Sequence, residues 1–178
     1  KPIITFSPRD TVYSGNSQPW RDTNANNFTL AIKWLIANGF AVVRINPFGQ
    51  PIDYEADFFF DNVIHKVVAI DQMKLLSLSS LSIGSATGST EYAVQLFGNP
   101  TLYIDSAVVY NTGTKFPVVH SSKTLCVSNL AKLKTLSPQQ LNKFLFCSVW
   151  NFQSCNQFGL EIVSQDPHQL LSSAQRWI

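Results

Sequence analysis

Charge is scarce in this sequence. Asp, Glu, Lys and Arg make up 13% of the 178 residues and leave a net charge of +2. The cations Lys33, Arg44, Lys66, Lys115, Lys132 and Lys134 are scattered, so no basic stripe forms and a nucleic-acid partner is not expected. Hydrophobic residues reach 45%, yet every apolar run is broken by Asn, Asp, Lys or Gly before it could cross a bilayer, and no transmembrane segment is expected. Three cysteines (Cys126, Cys147 and Cys155) are too few and too widely spaced for a zinc pattern or a disulfide scaffold. Reduced thiols are the default reading, with Cys147–Cys155 the one pairing that a folded-back loop would allow, and they point to the cytoplasm. His65, His120 and His168 have no companion ligand at i+2 or i+4, so no metal site is expected. No leader pattern opens the chain: Lys1-Pro2 runs at once into a strand-like segment, which reads as part of a longer protein. Repeats and low-complexity tracts are also missing.

What is present is an alternation of short β-rich runs and helical periodicities. Ile3-Ile4-Thr5-Phe6 is a strand ended by Ser7-Pro8. A long polar loop occupies residues 9–27. Phe28, Ala31, Ile32 and Leu35 follow the i, i+3, i+4, i+7 rule, and Asn38-Gly39 closes that helix. Ala41-Val42-Val43-Arg44-Ile45 is the next strand. Asp57-Phe58-Phe59-Phe60-Asp61 reads as a short or edge strand, and Ala69, Ile70, Met73 and Leu76 as a helical face. Leu81-Ser82-Ile83 is a strand. Thr90, Ala93, Val94 and Phe97 form a helix stopped by Gly98-Asn99-Pro100, and Thr101 to Ile104 another strand. Residues 105–124 read as loop. Ser137-Pro138-Gln139-Gln140 opens a helix with Leu141, Phe144 and Leu145 inward. Leu160 to Val163 is a last strand, and Asp166-Pro167 caps a final helix with Leu170, Leu171, Ala174 and Trp177 on one face. The order predicts one α/β domain over residues 1–178, a Rossmann-like, doubly wound and mostly parallel sheet with helices on both faces. Such sheets bind ligands beyond the C-terminal ends of their strands.

Two segments stand at such ends. Gly84-Ser85-Ala86-Thr87-Gly88-Ser89 lies between a strand and a helix. Its glycines permit a tight turn and close approach, and the helix start favours an anion. Ser85, Thr87, Gly88 and Ser89 are therefore candidate diphosphate ligands. No lysine follows as in a P-loop, and the glycine spacing is not that of a dinucleotide fingerprint. An ordinary helix start, with Ser89 as cap and Glu91 beside it, fits the same residues. Ser7-Pro8-Arg9-Asp10 follows the first strand, where Arg9 would offer a bidentate grip on phosphate. An Arg9–Asp10 surface pair is the competing reading. Arg21 is a second candidate phosphate ligand, and Asn26 or Asn27 a helix cap. Arg44 could turn into the same crevice. Asp57 and Asp61 read as turn or cap residues, and His65 as a base without a visible partner.

Taken in order, these segments resemble a family of bacterial surface-carbohydrate glycosyltransferases. Ile4-Thr5-Phe6-Ser7-Pro8-Arg9-Asp10, then Arg21-Asp22 and Asn26-Asn27-Phe28, resemble its HxRD … R … N-Y/F opening. Gly39-Phe40-Ala41-Val42-Val43-Arg44-Ile45 is similar to its G-y-x-V-V-R strand. Ser82 to Gly88 with Phe97-Gly98-Asn99-Pro100 resembles its G-x-x-S-G … F-G-x-P segment. Gly159-Leu160-Glu161-Ile162-Val163 with Asp166-Pro167 resembles its closing element. Ser7 stands where that family often has His. The group is similar to protein O-fucosyltransferase-like enzymes with two Rossmann-like halves, the GT-B arrangement. The resemblance implies the C-terminal, donor-binding half of an enzyme that builds surface polysaccharide in the cytoplasm or at the inner membrane. It implies metal-independent, inverting transfer of a sugar from a nucleotide diphospho-sugar to a glycan or other hydroxyl acceptor, with no cofactor. Arg9 and residues 85–89 would hold the diphosphate. The base would be Asp10 or would come from an N-terminal acceptor domain. A non-catalytic nucleotide-sugar or glycan-binding module stays open. So does a sugar-nucleotide epimerase, with Asp57, Asp61 or His65 as base.

Overall fold

The computed structural model describes residues 1–10, 22–85, 87–105, 118–121, 124–127, 135, 137–139 and 160–178. Strand β1 (Ile3–Ser7) is apolar or small at every position, and four of its five residues are buried. A strand covered on both faces belongs at the centre of a parallel sheet. β1 pairs in parallel with β2 (Ala41–Arg44) on one side and with β4 (Ser79–Gly84) on the other. β3 (Phe59–Asp61) adds outside β2, while β5 (Thr101–Ile104) and β6 (Val118–Ser121) add in parallel beyond β4. The resulting order is β3-β2-β1-β4-β5-β6. This is the 3-2-1-4-5-6 order of the Rossmann fold, whose direction of winding reverses between β1 and β4. β6 lies inside the stretch read as loop. Among the described residues its four positions pair with β5 alone, and a strand that short, preceded by Pro117, carries little periodicity. β8 (Leu160–Val163), expected to close the fold as a strand, instead pairs antiparallel with β7 (Thr124–Val127) in a separate ribbon.

Alternation along the strands sends side chains to two different layers. Ile4, Phe6, Val42, Leu81 and Ile83 meet Phe28, Ile32 and Leu35 of the first helical segment and Leu170 of the last. That segment is a 3-10 turn (Ala25–Phe28) running into α1 (Thr29–Ala37). Asn24, rather than Asn26 or Asn27, caps it, accepting from the Asn26 amide at 3.0 Å. Asn38 ends α1, and Gly39 leaves at φ +92°, a conformation that glycine adopts without strain. The last helix is α5 (Pro167–Trp177). It starts with a complete capping box from Asp166 and Gln169 and Pro167 in the first turn. Of the helix expected after Ser137-Pro138, residues 141–145 lie outside the described part.

The opposite layer is thinner. Val43, Ile45, Leu76 and Ala93 form its core, the last two from α3 (Ala69–Ser77) and α4 (Gly88–Gln95), joined by Met73 of α3 and by Phe97 just after α4. Beneath it the central strands present hydroxyls. Thr5 Oγ1 lies 2.8 Å from Ser82 Oγ and donates to Ser79 Oγ at 3.2 Å. Asn99 Nδ2 donates to Ser79 Oγ at 2.8 Å and to the Leu76 carbonyl at 2.7 Å. Asn99 thus ties the end of α3 to the strand after α4, beyond merely stopping a helix. Buried polar groups are tolerated when satisfied in this way.

Candidate functional site

The reversal of winding at β1 and β4 parts the loops that leave them and opens a crevice at their C-terminal ends. Both sequence-predicted segments reach it. They are joined at their roots: Ser85 Oγ accepts from the Arg9 amide at 2.6 Å, and the Ser85 amide donates to the Ser7 carbonyl at 3.3 Å. Ser85 is completely buried. Its hydroxyl therefore braces the two loops and is not presented to a ligand.

Gly84 makes this junction possible. A Cβ there would lie 2.8 Å from the Ser7 carbonyl and collide with Thr90 Oγ1. Thr87, not Ser89, is the N-cap of α4, and its Oγ1 accepts from the Thr90 amide at 3.2 Å. Thr90 Oγ1 in turn donates to the Ser85 carbonyl at 2.9 Å. The hydroxyls of Ser85, Thr87 and Thr90 thus shape the loop. The groups left to face a ligand are the opening amides at Gly88 and Ser89, which have no carbonyl partner four residues back within the helix. The helix dipole gives them a partial positive charge.

Arg9 is buried, and its Nε donates to Asp22 Oδ1 at 3.0 Å. The carboxylate helps to fix the plane of the guanidinium. The Arg9 carbonyl accepts from Thr23 N at 2.7 Å, which fastens Thr23 beside Arg9. Arg21 lies outside the described residues.

Arg9, Thr87, Gly88 and Ser89 line one cavity of about 440 Å³, a volume typical of small-molecule sites. Its remaining walls come from Asn46, Pro47 and Phe48 after β2, from Ala69 and Gln72 of α3, and from Tyr92 of α4. These residues carry no motif and come from three separate segments. The one sequence signal for them was position, since residues 46–48 also follow the C-terminal end of a strand.

The remaining candidates sit elsewhere. Asp10 is not among the residues that line the cavity, and it accepts from Gln50 N through Oδ2 at 3.0 Å. Arg44 does not enter the crevice. It is completely buried and pairs with Asp61 at 3.3 Å. Burial pushes its pKa below the usual arginine value, and nearby Asp61 and Asp10 oppose that shift. Asp61 caps the short helix α2 (Asn62–His65) through Val63 N at 3.0 Å and also accepts from Ile52 N at 2.8 Å. His65 stacks on Phe60 with ring centroids 4.2 Å apart. Neither Asp57, Asp61 nor His65 is among the residues that line this cavity. Among the described residues, no three His, Cys, Asp or Glu side chains converge as metal ligands.

No protein-family model matches the chain, and no curated protein matches it. Among solved structures, the chain is similar to the iron-containing dodecameric glycosyltransferase TibC from enterotoxigenic E. coli, at 19% identity and a TM-score of 0.45, over 66% of this chain and 31% of that one. It is similar to the wall teichoic acid polymerase TagF at 12% identity and a TM-score of 0.41, over 99% of this chain and 44% of that one. It is also similar to a putative UDP-N-acetylglucosamine 2-epimerase from Listeria monocytogenes at 15% identity and a TM-score of 0.41, over 58% of this chain and 27% of that one. The chain thus spans less than half the length of each. Likeness at this level assigns no activity. The parallel sheet itself, in its 3-2-1-4-5-6 order, establishes an α/β Rossmann-like fold.

Proposed function

We propose that this chain is the donor-binding domain of a glycosyltransferase, gripping the diphosphate of a nucleotide diphospho-sugar between Arg9 and the start of α4. One observation carries the reading: a buried arginine and a helix N-terminus line the same cavity at the switch point of a Rossmann-ordered sheet. Cation and dipole then act on the same anion. The sequence resemblance, which runs through these same segments in chain order, supports the transferase reading over other diphosphate binders.

The chemistry follows from charge. When a sugar passes to an acceptor hydroxyl, the bond between its anomeric carbon and the diphosphate oxygen breaks, and negative charge grows on the leaving group. Donors held in place before reaction stabilise that charge without reorganising. The Gly88 and Ser89 amides and the Arg9 guanidinium are such donors. The acceptor's proton needs a base. Because Asp10 is committed to the Gln50 amide, we assign the base to an N-terminal acceptor domain in the full-length protein.

The test is calorimetric titration of the chain with UDP, GDP and ADP, with and without EDTA. At least one nucleotide should bind, equally well with chelator. Arg9→Lys keeps a charge beside Asp22 but loses the fork, and should weaken that binding by about 10- to 100-fold, the effect of one charge-assisted hydrogen bond. Binding to none of the three, or binding indifferent to Arg9→Lys, would remove the basis for the reading.

A further inference from the structure

We infer that Arg44 is a positioning residue for this cavity, holding the loop after β2 so that Asn46, Pro47 and Phe48 form a fixed wall opposite Arg9 and α4. The inference rests on the donor-site reading for the ligand, but its geometry stands separately. Arg44 Nη1 donates to the Gln50 carbonyl at 2.7 Å and Nη2 to the Phe48 carbonyl at 3.2 Å. Nη1 also meets Asp61 Oδ2, which in turn receives the Ile52 amide. From the other side, Asp10 Oδ2 takes the Gln50 amide. One buried cation and two carboxylates thus hold residues 48, 50 and 52 by their backbone.

The loop so held runs between two buried side chains, Ile45 and Ile52. Phe48 is 53% exposed although it lines the cavity. Burying a guanidinium is costly unless it is paired and hydrogen-bonded, and as a stability device it often gives no net gain over apolar packing. Its use here is geometric, because a rigid planar fork fixes its acceptors from two separate nitrogens, Nη1 and Nη2, whereas lysine offers one ammonium on a flexible stem. Gly49 shows how tightly the clamp closes. At φ +103°, a Cβ there would lie 2.7 Å from Asp10 Oδ2 and 3.0 Å from Arg44 Nη2. Asp10 is adjacent in sequence to Arg9, so a single dipeptide reaches both walls: Arg9 lines the cavity and Asp10 fastens the opposite loop.

The experiment is amide hydrogen exchange on the 178-residue chain and on the Arg44→Lys and Gly49→Ala variants, with nucleotide titration alongside. Gly49→Ala leaves every buried charge in place and keeps the test valid if Arg44→Lys folds poorly. Expected is a loss of protection at the Gln50 and Ile52 amides of at least ~10-fold, with amides of β1 and β4 unchanged. The titration should show affinity for the bound nucleotide falling by about 10-fold or more. A merely structural arginine would raise exchange across β2 and β3 together. That outcome, or undisturbed loop exchange in both variants, overturns the inference. Should the parent chain bind no nucleotide while the loop alone opens, the ligand reading fails and the positioning role stands.

Discussion

Two glycines in one loop should answer the same substitution in opposite ways. Gly84 ends β4 and pairs in parallel with Ser7 of β1. An alanine Cβ there would sit 2.8 Å from the Ser7 carbonyl, a backbone atom that cannot swing aside, and would collide with Thr90 Oγ1. Overpacking of this kind costs about 1–3 kcal/mol, and in a chain of this size lowers Tm by about 2–4 °C for each kcal/mol. It should also separate the Arg9 and Thr87 loops and weaken nucleotide binding. Gly88 is exposed, at the first position of α4, and a Cβ there meets nothing within 4 Å. Gly88→Ala should leave Tm unchanged or raise it, since alanine favours the helix by up to about 1 kcal/mol. Yet its methyl enters the cavity where a phosphate must approach the Gly88 and Ser89 amides, so affinity should fall with stability intact. Differential scanning calorimetry and nucleotide titration on both variants provide the assay. Equal Tm for Gly84→Ala and the parent would refute the packing argument. A fully retained affinity in Gly88→Ala would refute close approach of the ligand to the helix start.

Asn99→Ala strips donors from the Leu76 carbonyl and Ser79, and urea unfolding should show a loss of about 1–3 kcal/mol. Asp166→Ala removes the capping box of α5 and should cost about 0.5–2 kcal/mol by the same measurement. Arg44→Met leaves Asp61 buried without its cation, and unfolding should show a loss of about 3–5 kcal/mol. The double change Arg44→Met with Asp61→Leu should recover part of that loss.

The elements were legible where local pattern matches burial. Phe28, Ile32 and Leu35 announce α1 by spacing, and Asp166-Pro167 announces α5, because caps and amphipathic faces are local. Strand partners are not local. Leu160 to Val163 has the composition of a sheet strand, but its antiparallel pairing with β7 depends on chain 33 residues away in sequence (Val127 to Leu160). The crevice was legible in outline, since a strand followed by Arg9 and a strand followed by a Gly/Ser loop both place chemistry at C-terminal ends. The division of labour within it was not. That Ser85 braces while Gly88 faces the cavity, or that Asp10 fastens a loop reached across the sheet from residue 50, follows from the close approach of β1, β2 and β4. Phe48, Gln72 and Tyr92 were missed for the same reason: three unrelated segments meet only after the sheet has formed.

The most direct measurement of the central claim is nuclear magnetic resonance mapping of backbone amides as a nucleoside diphosphate is added in EDTA. The largest shifts should fall at Gly88 and Ser89, with the amides of Arg9, Asn46 and Phe48 moving with them and the α5 side of the sheet silent. Shifts centred on another surface, with Gly88 and Ser89 unmoved at saturation, would contradict the claim.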